Sequence, residues 1–358
     1  MMNIQDYYNH KKSLYDSIFE FIEDGNESDM ISKFDELKKF FADNEDEFYH
    51  LLHFISLISN NYHRSSRFFE RIEIILITFS DIIKQKYTNN DIFNLFRENK
   101  RILLFLFDKQ IIKLDQSIID QFQNKDHQYF YPEVQSVTDN RTTPKNKQNE
   151  LQIEDFKIKR NIGENDDYIC YLIRNDSVED FISYINRTNI PLSTTIKPSI
   201  FETNAFLIDK KPTLIEYTAF FGAISIFQYL RLNNIELTSS LWLYSIHGRN
   251  ADIIHYLESD HIEPPEGNYD ECLKEAIKCH HNEIARYIQN YLIKVIFFLE
   301  INVAKKASKY ALRYDNYEIL DEDFIDNEVF FYACYYNHIN LVKILVNNDE
   351  IDINFTKI

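Results

Sequence analysis

Apolar residues recur at spacings of three and four along most of the chain, with Asp, Glu and Lys between them. Phe34, Leu37 and Phe41 show the pattern within Ile31–Phe41, and Tyr15–Ile22 repeats it. That is the period of a helix with one buried face. Further stretches of the same kind run through Phe48–Ile58, Phe68–Ile83 and Ile92–Leu106, with breaks expected at Gly25-Asn26-Glu27-Ser28 and Asp43–Glu47. The character changes after residue 132. Gln135–Gln152 is polar, holds Pro144, and has only Val137 and Leu151 as aliphatic residues, so it reads as a linker or a long surface loop. Helical periodicity returns at Asp166 and continues to the end. The expectation is all-α: an N-terminal helical region over 1–132, a polar linker over 133–163 and a repeat domain over 164–358.

The second half repeats itself. Leu214–Leu230 aligns without a gap on Leu241–Leu257, 27 residues later, with Leu214/Leu241, Tyr217/Tyr244, Ile226/Ile253, Tyr229/Tyr256 and Leu230/Leu257 identical. A third copy, Cys272–Ile288, follows at an offset of 31, and a fourth is Val329–Leu345. Each copy holds a short helix, a tight polar turn and a second helix. A helix pair this small cannot bury its own apolar face, so the copies are expected to stack as a solenoid.

These residues resemble ankyrin repeats. Tyr332-Ala333-Cys334-Tyr335-Tyr336-Asn337-His338-Ile339-Asn340-Leu341-Val342-Lys343-Ile344-Leu345-Val346 looks like the family's A-A-x-x-G-H-x-x-I-V-x-L-L-L, and Ile351-Asp352-Ile353-Asn354 looks like its closing D-V-N. Pro212-Thr213-Leu214-Ile215 stands where the family has T-P-L-H, and Gly222-Ala223 where it has G-H. An earlier copy, Cys170–Ile185, is followed by a long insertion up to Lys211. The first-helix His is replaced by Glu216, Leu243, Lys274 or Phe331, and the turn Gly survives only as Gly222. The unit containing Ala304–Leu320 is degenerate. Lys197–Asn204 and Lys278–Asn282 resemble a divergent ankyrin-like class of unknown function that is expanded in trichomonad protists. Ile92–Phe107 followed by Ile112-Lys113-Leu114 echoes the pattern, which suggests a cryptic ankyrin-like unit ending the N-terminal region.

Composition narrows the function. Apolar residues make up 44% of 358 residues, enough for a sizeable core, and five Gly are too few for a turn-rich sandwich or barrel. Net charge is −18, spread as −7 up to Glu133 and −11 beyond it. A uniformly acidic surface repels phosphate backbones, so no nucleic-acid partner is expected. The longest apolar runs, Ile74–Phe79 and Val295–Leu299, are far too short to span a bilayer. Met1–Lys12 has no apolar core of signal-peptide length, and four unevenly spaced cysteines argue for a reduced compartment; a cytoplasmic location is expected.

No motif for chemistry is present. The five glycines are scattered, with no phosphate loop, dinucleotide fingerprint, nucleophile elbow or H-E-x-x-H. Cys272, Cys279, His280 and His281 come nearest to a metal cluster, but no second ligand pair stands at finger spacing, and packing residues plus a turn explain them better. His247, His255 and His261 read as surface or seam positions. Asp166-Asp167 and Asp321–Asp323 read as solvated loop charges, and Cys170 and Cys334 as buried and inert. No catalytic residue, metal ligand or cofactor is expected.

The expected role is therefore a non-enzymatic protein-interaction scaffold; the alternative is an interaction module whose N-terminal region carries a separate activity. In ankyrin-type stacks the first-helix row faces a concave groove. The resemblance thus implies partner contacts at Tyr217, Phe221, Tyr244, Glu275, Tyr332 and Tyr336, unless those rings simply pack between units. With Glu216 and Glu275 nearby, the expected partner is a protein with a basic patch.

Overall fold

The structure, a computed structural model, describes residues 4–23, 27–64, 67–138, 147–293, 297–320, 325–348 and 350–356. Among these the regular elements are helices, and the only β pairing is an isolated bridge between Thr195 and Thr213. The fold is all-α. The chain forms two compact units: one holds Met1–Ile58, Tyr62–Ile72 and Thr238–Ile358, the other Ser59–Asn61 and Glu73–Leu237. Boundaries at 132/133 and 163/164 do not coincide with this division, because the first helices and the last repeats share a unit.

In the first unit the repeats are Leu241–Gly248 with Ala251–Ser259, Asp270–Lys278 with Asn282–Tyr287, Phe297–Arg313, and Asn327–Tyr335 with Ile339–Leu345. Each first helix packs on the next. The degenerate unit keeps its first helix, while residues 314–320 form turns where a second helix would stand. After every first helix one residue takes a left-handed backbone: Arg249 (φ 50°), His280 (φ 54°), Asp315 (φ 51°) and Asn337 (φ 63°). This lets the next amide fold back onto the helix, as in His281 N–H to Ala276 O (3.0 Å), Asn316 N–H to Ala311 O (2.9 Å) and His338 N–H to Ala333 O (2.8 Å). Left-handed backbone costs an ordinary L-residue about 1–2 kcal/mol, which is why glycine was the expected marker.

Contacts across the repeats offset that cost. The residue after each of the last three left-handed ones reaches back to the preceding repeat: His281 Nδ1 to Ile246 O (2.7 Å), Asn316 Nδ2 to Ile277 O (2.9 Å) and His338 Nε2 to Leu312 O (2.7 Å). Each acceptor lies three residues before the left-handed residue of its own repeat. The same bond thus recurs in the same register three times, with buried donors.

The helices Ile4–Glu23 and Glu45–Asn61 supply side chains that meet this row of turns. Arg249 Nη1 donates to the Tyr62 hydroxyl (2.5 Å) and pairs with Glu23. Phe19 and Phe54 pack on the His280 ring at 5.3 and 5.2 Å, and Tyr62 on His281 at 5.3 Å. His50 and His53 meet Asp315. Beneath them Lys11 is fully buried, paired with Glu47 and 5.1–5.7 Å from the ring centres of Tyr7, Tyr15 and Tyr317. Of the expected breaks, Asp43–Glu47 narrows to Asn44, Gly25 and Asn26 lie outside the described residues, and Glu27 and Ser28 are helical.

In the second unit the run Ile92–Leu106 is two helices, Asn89–Phe96 and Lys100–Asp108. Asn99 follows the short turn after the first and caps the second by accepting from Ile102 N–H at 3.1 Å. Two further helices, Tyr131–Thr138 and Lys147–Ile162, stand in and around the segment expected to be a linker; 139–146, with Arg141 and Lys145, lie outside the described residues. Polar composition marks exposure there, not the absence of helix: the Arg160 guanidinium pairs with Glu133 at 2.7 Å. The helix pairs Tyr168–Arg174/Val178–Thr188 and Leu214–Phe220/Ile224–Leu232 carry left-handed turns at Asp176 and Gly222. The Asp176 carboxylate accepts from Ser225 N–H (2.9 Å) and Ile226 N–H (3.0 Å), which ties one pair to the next.

Candidate functional site

The six residues implied as partner contacts occupy equivalent places. Tyr217, Tyr244, Glu275 and Tyr332 each lie five residues before a left-handed turn residue, and Phe221 and Tyr336 one before. The structure buries the first four and leaves Phe221 and Tyr336 half-buried.

Their neighbours explain the burial. In the second unit the Tyr217 hydroxyl accepts from Arg174 Nη1 at 3.1 Å, on the preceding first helix, and the ring packs on Phe221 at 4.8 Å. In the first unit Glu275 Oε1 lies 2.8 Å from His247 Nε2, also on the preceding first helix, and 3.0 Å from Lys278 Nζ. The two cross-repeat pairs share one register, since Arg174 and His247 each stand two residues before their turn residue. Burial alone would raise the Glu275 carboxyl; His247 and Lys278 outweigh it and hold the group well below the usual carboxylate range. Tyr332 has the Lys309 ammonium 5.4 Å from its ring centre and Tyr336 stacked at 6.1 Å. These positions couple neighbouring repeats. Glu216 is likewise engaged, in a capping box with Thr213, whose backbone N–H lies 2.8 Å from Glu216 Oε2.

The turn register also picks out Tyr171 and Tyr310, which alignment on helix sequence missed because their units are broken by an insertion or degenerate. A turn residue of the Asp, Asn or His type between two helical runs is the signal that would have found them. Tyr171 is 54% exposed and stacks with exposed Tyr168 at 6.1 Å. In the first unit the open aromatic face is on Asn327–Tyr335: Tyr335 is 71% exposed, stacks on Phe331 at 6.2 Å and meets Tyr336 edge-on at 5.0 Å.

The remaining polar candidates do not converge as grouped from sequence. His280 Nε2 bonds Tyr314 O (2.9 Å), His281 turns to Ile246 O, and Cys279 Sγ lies 3.5 Å from His247 Nδ1. His255 and His261 are exposed, apart from buried His247. His247, Glu275 and Cys279 do bring their ligand atoms together, and the Lys278 ammonium already supplies the positive charge there. Burial pushes the Cys170 and Cys272 thiols up to about 12. Cys334, expected to be buried, is exposed, because the outward face of its helix begins one residue after Ala333. Asp166 accepts from the Ser199 hydroxyl and Asp167 caps Tyr168–Arg174, while Asp321–Asp323 lie outside the described residues.

A family model described as a domain of unknown function (DUF3447) matches residues 232–320, the stretch holding the first three repeats of the first unit. No curated protein and no solved structure matches the chain. Among the described residues no helix is long and apolar enough to cross a membrane.

Proposed function

We propose that the chain is a non-enzymatic protein-interaction scaffold built on ankyrin-like repeats, and that it works in a reducing compartment. The observation that carries this reading is the register-matched bond from each turn to the preceding repeat, at His281, Asn316 and His338. A stack held that way presents its outer side chains at a fixed spacing, which suits recognition of an extended partner surface. Four of the six implied contacts are buried in the packing, so the contact surface is better placed on Phe331, Tyr335 and Tyr336, with Phe221, Tyr168 and Tyr171 as the counterparts of the second unit. Tyrosine offers large contact area at low entropy cost. A net charge of −18 favours a partner with a basic patch, whose association would slow as salt rises.

The test is affinity capture from the source cell with the wild-type chain and with a Tyr335→Ala/Tyr336→Ala variant. Capture should fall with little change in the melting curve. Equal capture by both would remove this face from the reading.

A further inference from the structure

We propose that His50 is a buried imidazolium latch that fastens the helix Glu45–Asn61 to the third and fourth left-handed turns of the first unit and releases it as the solution turns alkaline. His50 Nδ1 stands 3.0 Å from Asp315 Oδ1, at the third turn, and His50 Nε2 stands 3.1 Å from the carbonyl oxygen of Asn337, at the fourth. A carboxylate and a carbonyl only accept, so both ring nitrogens must carry a proton for both contacts to be hydrogen bonds. Asp315 is also the acceptor for His53 Nδ1, at 2.5 Å. The His338 ring is stacked on that of His50, with centres 4.4 Å apart and planes 7° apart. His338 Nε2 donates to Leu312 O at 2.7 Å and Nδ1 accepts from the Tyr317 hydroxyl at 2.9 Å, so this second imidazole is complete with one proton. A charged ring thus lies on the face of a neutral one, and the Asp315 carboxylate answers its charge.

Loss of one proton breaks the arrangement whichever nitrogen gives it up. If Nε2 keeps its hydrogen, the Nδ1 lone pair faces a carboxylate oxygen 3.0 Å away; if Nδ1 keeps it, the Nε2 lone pair faces a carbonyl oxygen 3.1 Å away. One attraction becomes a repulsion in a buried place, where water does not replace the lost bond. The charged groups that face His50 from other elements are Asp315 and, on Ile4–Glu23, Lys11, which is itself paired with Glu47, three residues before His50 on its own helix. Tyr49 lies edge-on at 5.9 Å, and burial raises both its hydroxyl and that of Tyr317 above the ordinary phenol value, so neither changes charge near neutrality. Burial alone would lower the His50 imidazole; Asp315 outweighs burial and Lys11 and holds it above its ordinary value. Burial and the charge on His50 push His338 down to about 3, so it stays neutral. Because the folded-state value of His50 is raised, the latch contributes fully below the unfolded value of about 6.5 and is lost as pH rises through the folded one. The same helix carries Phe54 against the His280 ring, so release at His50 loosens the cover over the row of turns.

The full chain, labelled with ¹⁵N in its histidines, is followed by NMR from about pH 5 to about pH 9. Hydrogen-exchange protection is measured at the same points and corrected for the intrinsic pH dependence of exchange. His50→Gln identifies the His50 signal by its loss. In the wild type that signal should show both ring nitrogens protonated at about pH 6 and titrate with a midpoint above about 6.5. Protection of amides 45–58 should fall through the same midpoint, by no more than about tenfold per pH unit, the limit for one proton, while amides 168–188 of the second unit stay level. In His50→Gln that fall should vanish. In Asp315→Asn, where Asn tolerates the left-handed backbone, the midpoint should drop below about 6.5, because burial then acts unopposed. A wild-type midpoint at or below about 6.5, an unchanged midpoint in Asp315→Asn, or protection of 45–58 that stays flat through the midpoint or falls equally in His50→Gln would each overturn the latch.

Discussion

At the scale of residues the polar chemistry is buried and pH-sensitive. Glu275 is 7% exposed and bonded to both His247 and Lys278. Removing one partner of such a group strands the others in a dry site, so Glu275→Ala should lower unfolding stability by about 3–5 kcal/mol in denaturant titration. Its depressed folded-state pKa means this contribution is complete above the unfolded value near 4.5 and is lost as pH falls below it. His281 acts in the same direction at higher pH. Burial pushes its imidazole well below the ordinary value, so the unfolded chain binds a proton that the folded one refuses. Stability from this group is therefore full above about pH 6.5 and lost as pH falls below it. His281→Asn should flatten the fall in melting temperature between pH 7 and pH 5; an unchanged slope would assign the acid sensitivity elsewhere.

At the scale of elements, the turn after each first helix decides how the repeats join. Asn316 is 2% exposed and donates to both Ile277 O and Asn282 Oδ1. Asn316→Ala leaves that buried carbonyl without its donor and should cost about 1–3 kcal/mol. The left-handed positions should respond to glycine in opposite ways. Gly222→Ala forces a Cβ onto φ 65° and should cost about 1–2 kcal/mol, whereas His261→Gly at φ 52° should gain up to about 1 kcal/mol. Thermal melts of the two variants check the pair. Alignment by helix sequence located four repeats. It also placed an earlier copy at Cys170–Ile185 and a degenerate unit around Ala304–Leu320 without singling out Tyr171 and Tyr310, because the register there is recorded by the backbone conformation of the turn, which several residue types can adopt.

At the scale of the molecule, the first unit joins the start of the chain to its end. Phe54 is fully buried and packs on Tyr15 (4.5 Å), Phe19 (5.2 Å) and the His280 ring (5.2 Å). Phe54→Ala should cost about 3–5 kcal/mol. Hydrogen exchange should then rise at the amides of 270–287, far away in sequence. Exchange confined to residues 45–61 would show that the repeats hold their structure without this helix.

Local periodicity determined much by itself: the helical class, most helix positions, the paired repeats and their tight turns. Those features depend on neighbours three, four or about thirty residues away, and the spacing of side-chain types records them. What tertiary structure decided was pairing over long separations. A count of carboxylates and imidazoles cannot tell that Asp315 meets His50 and His53, or that Glu275 meets His247 and not solvent. Amphipathic spacing marked Tyr217 and Tyr244 as lying on a shared row, yet whether that row faces a groove or a neighbouring helix depends on how closely successive first helices approach. They approach closely enough to bury it. Nor did composition separate a polar helix from a linker at 147–162, because both expose charge, and long-range contacts such as that of Arg160 with Glu133 and Tyr129 distinguish them.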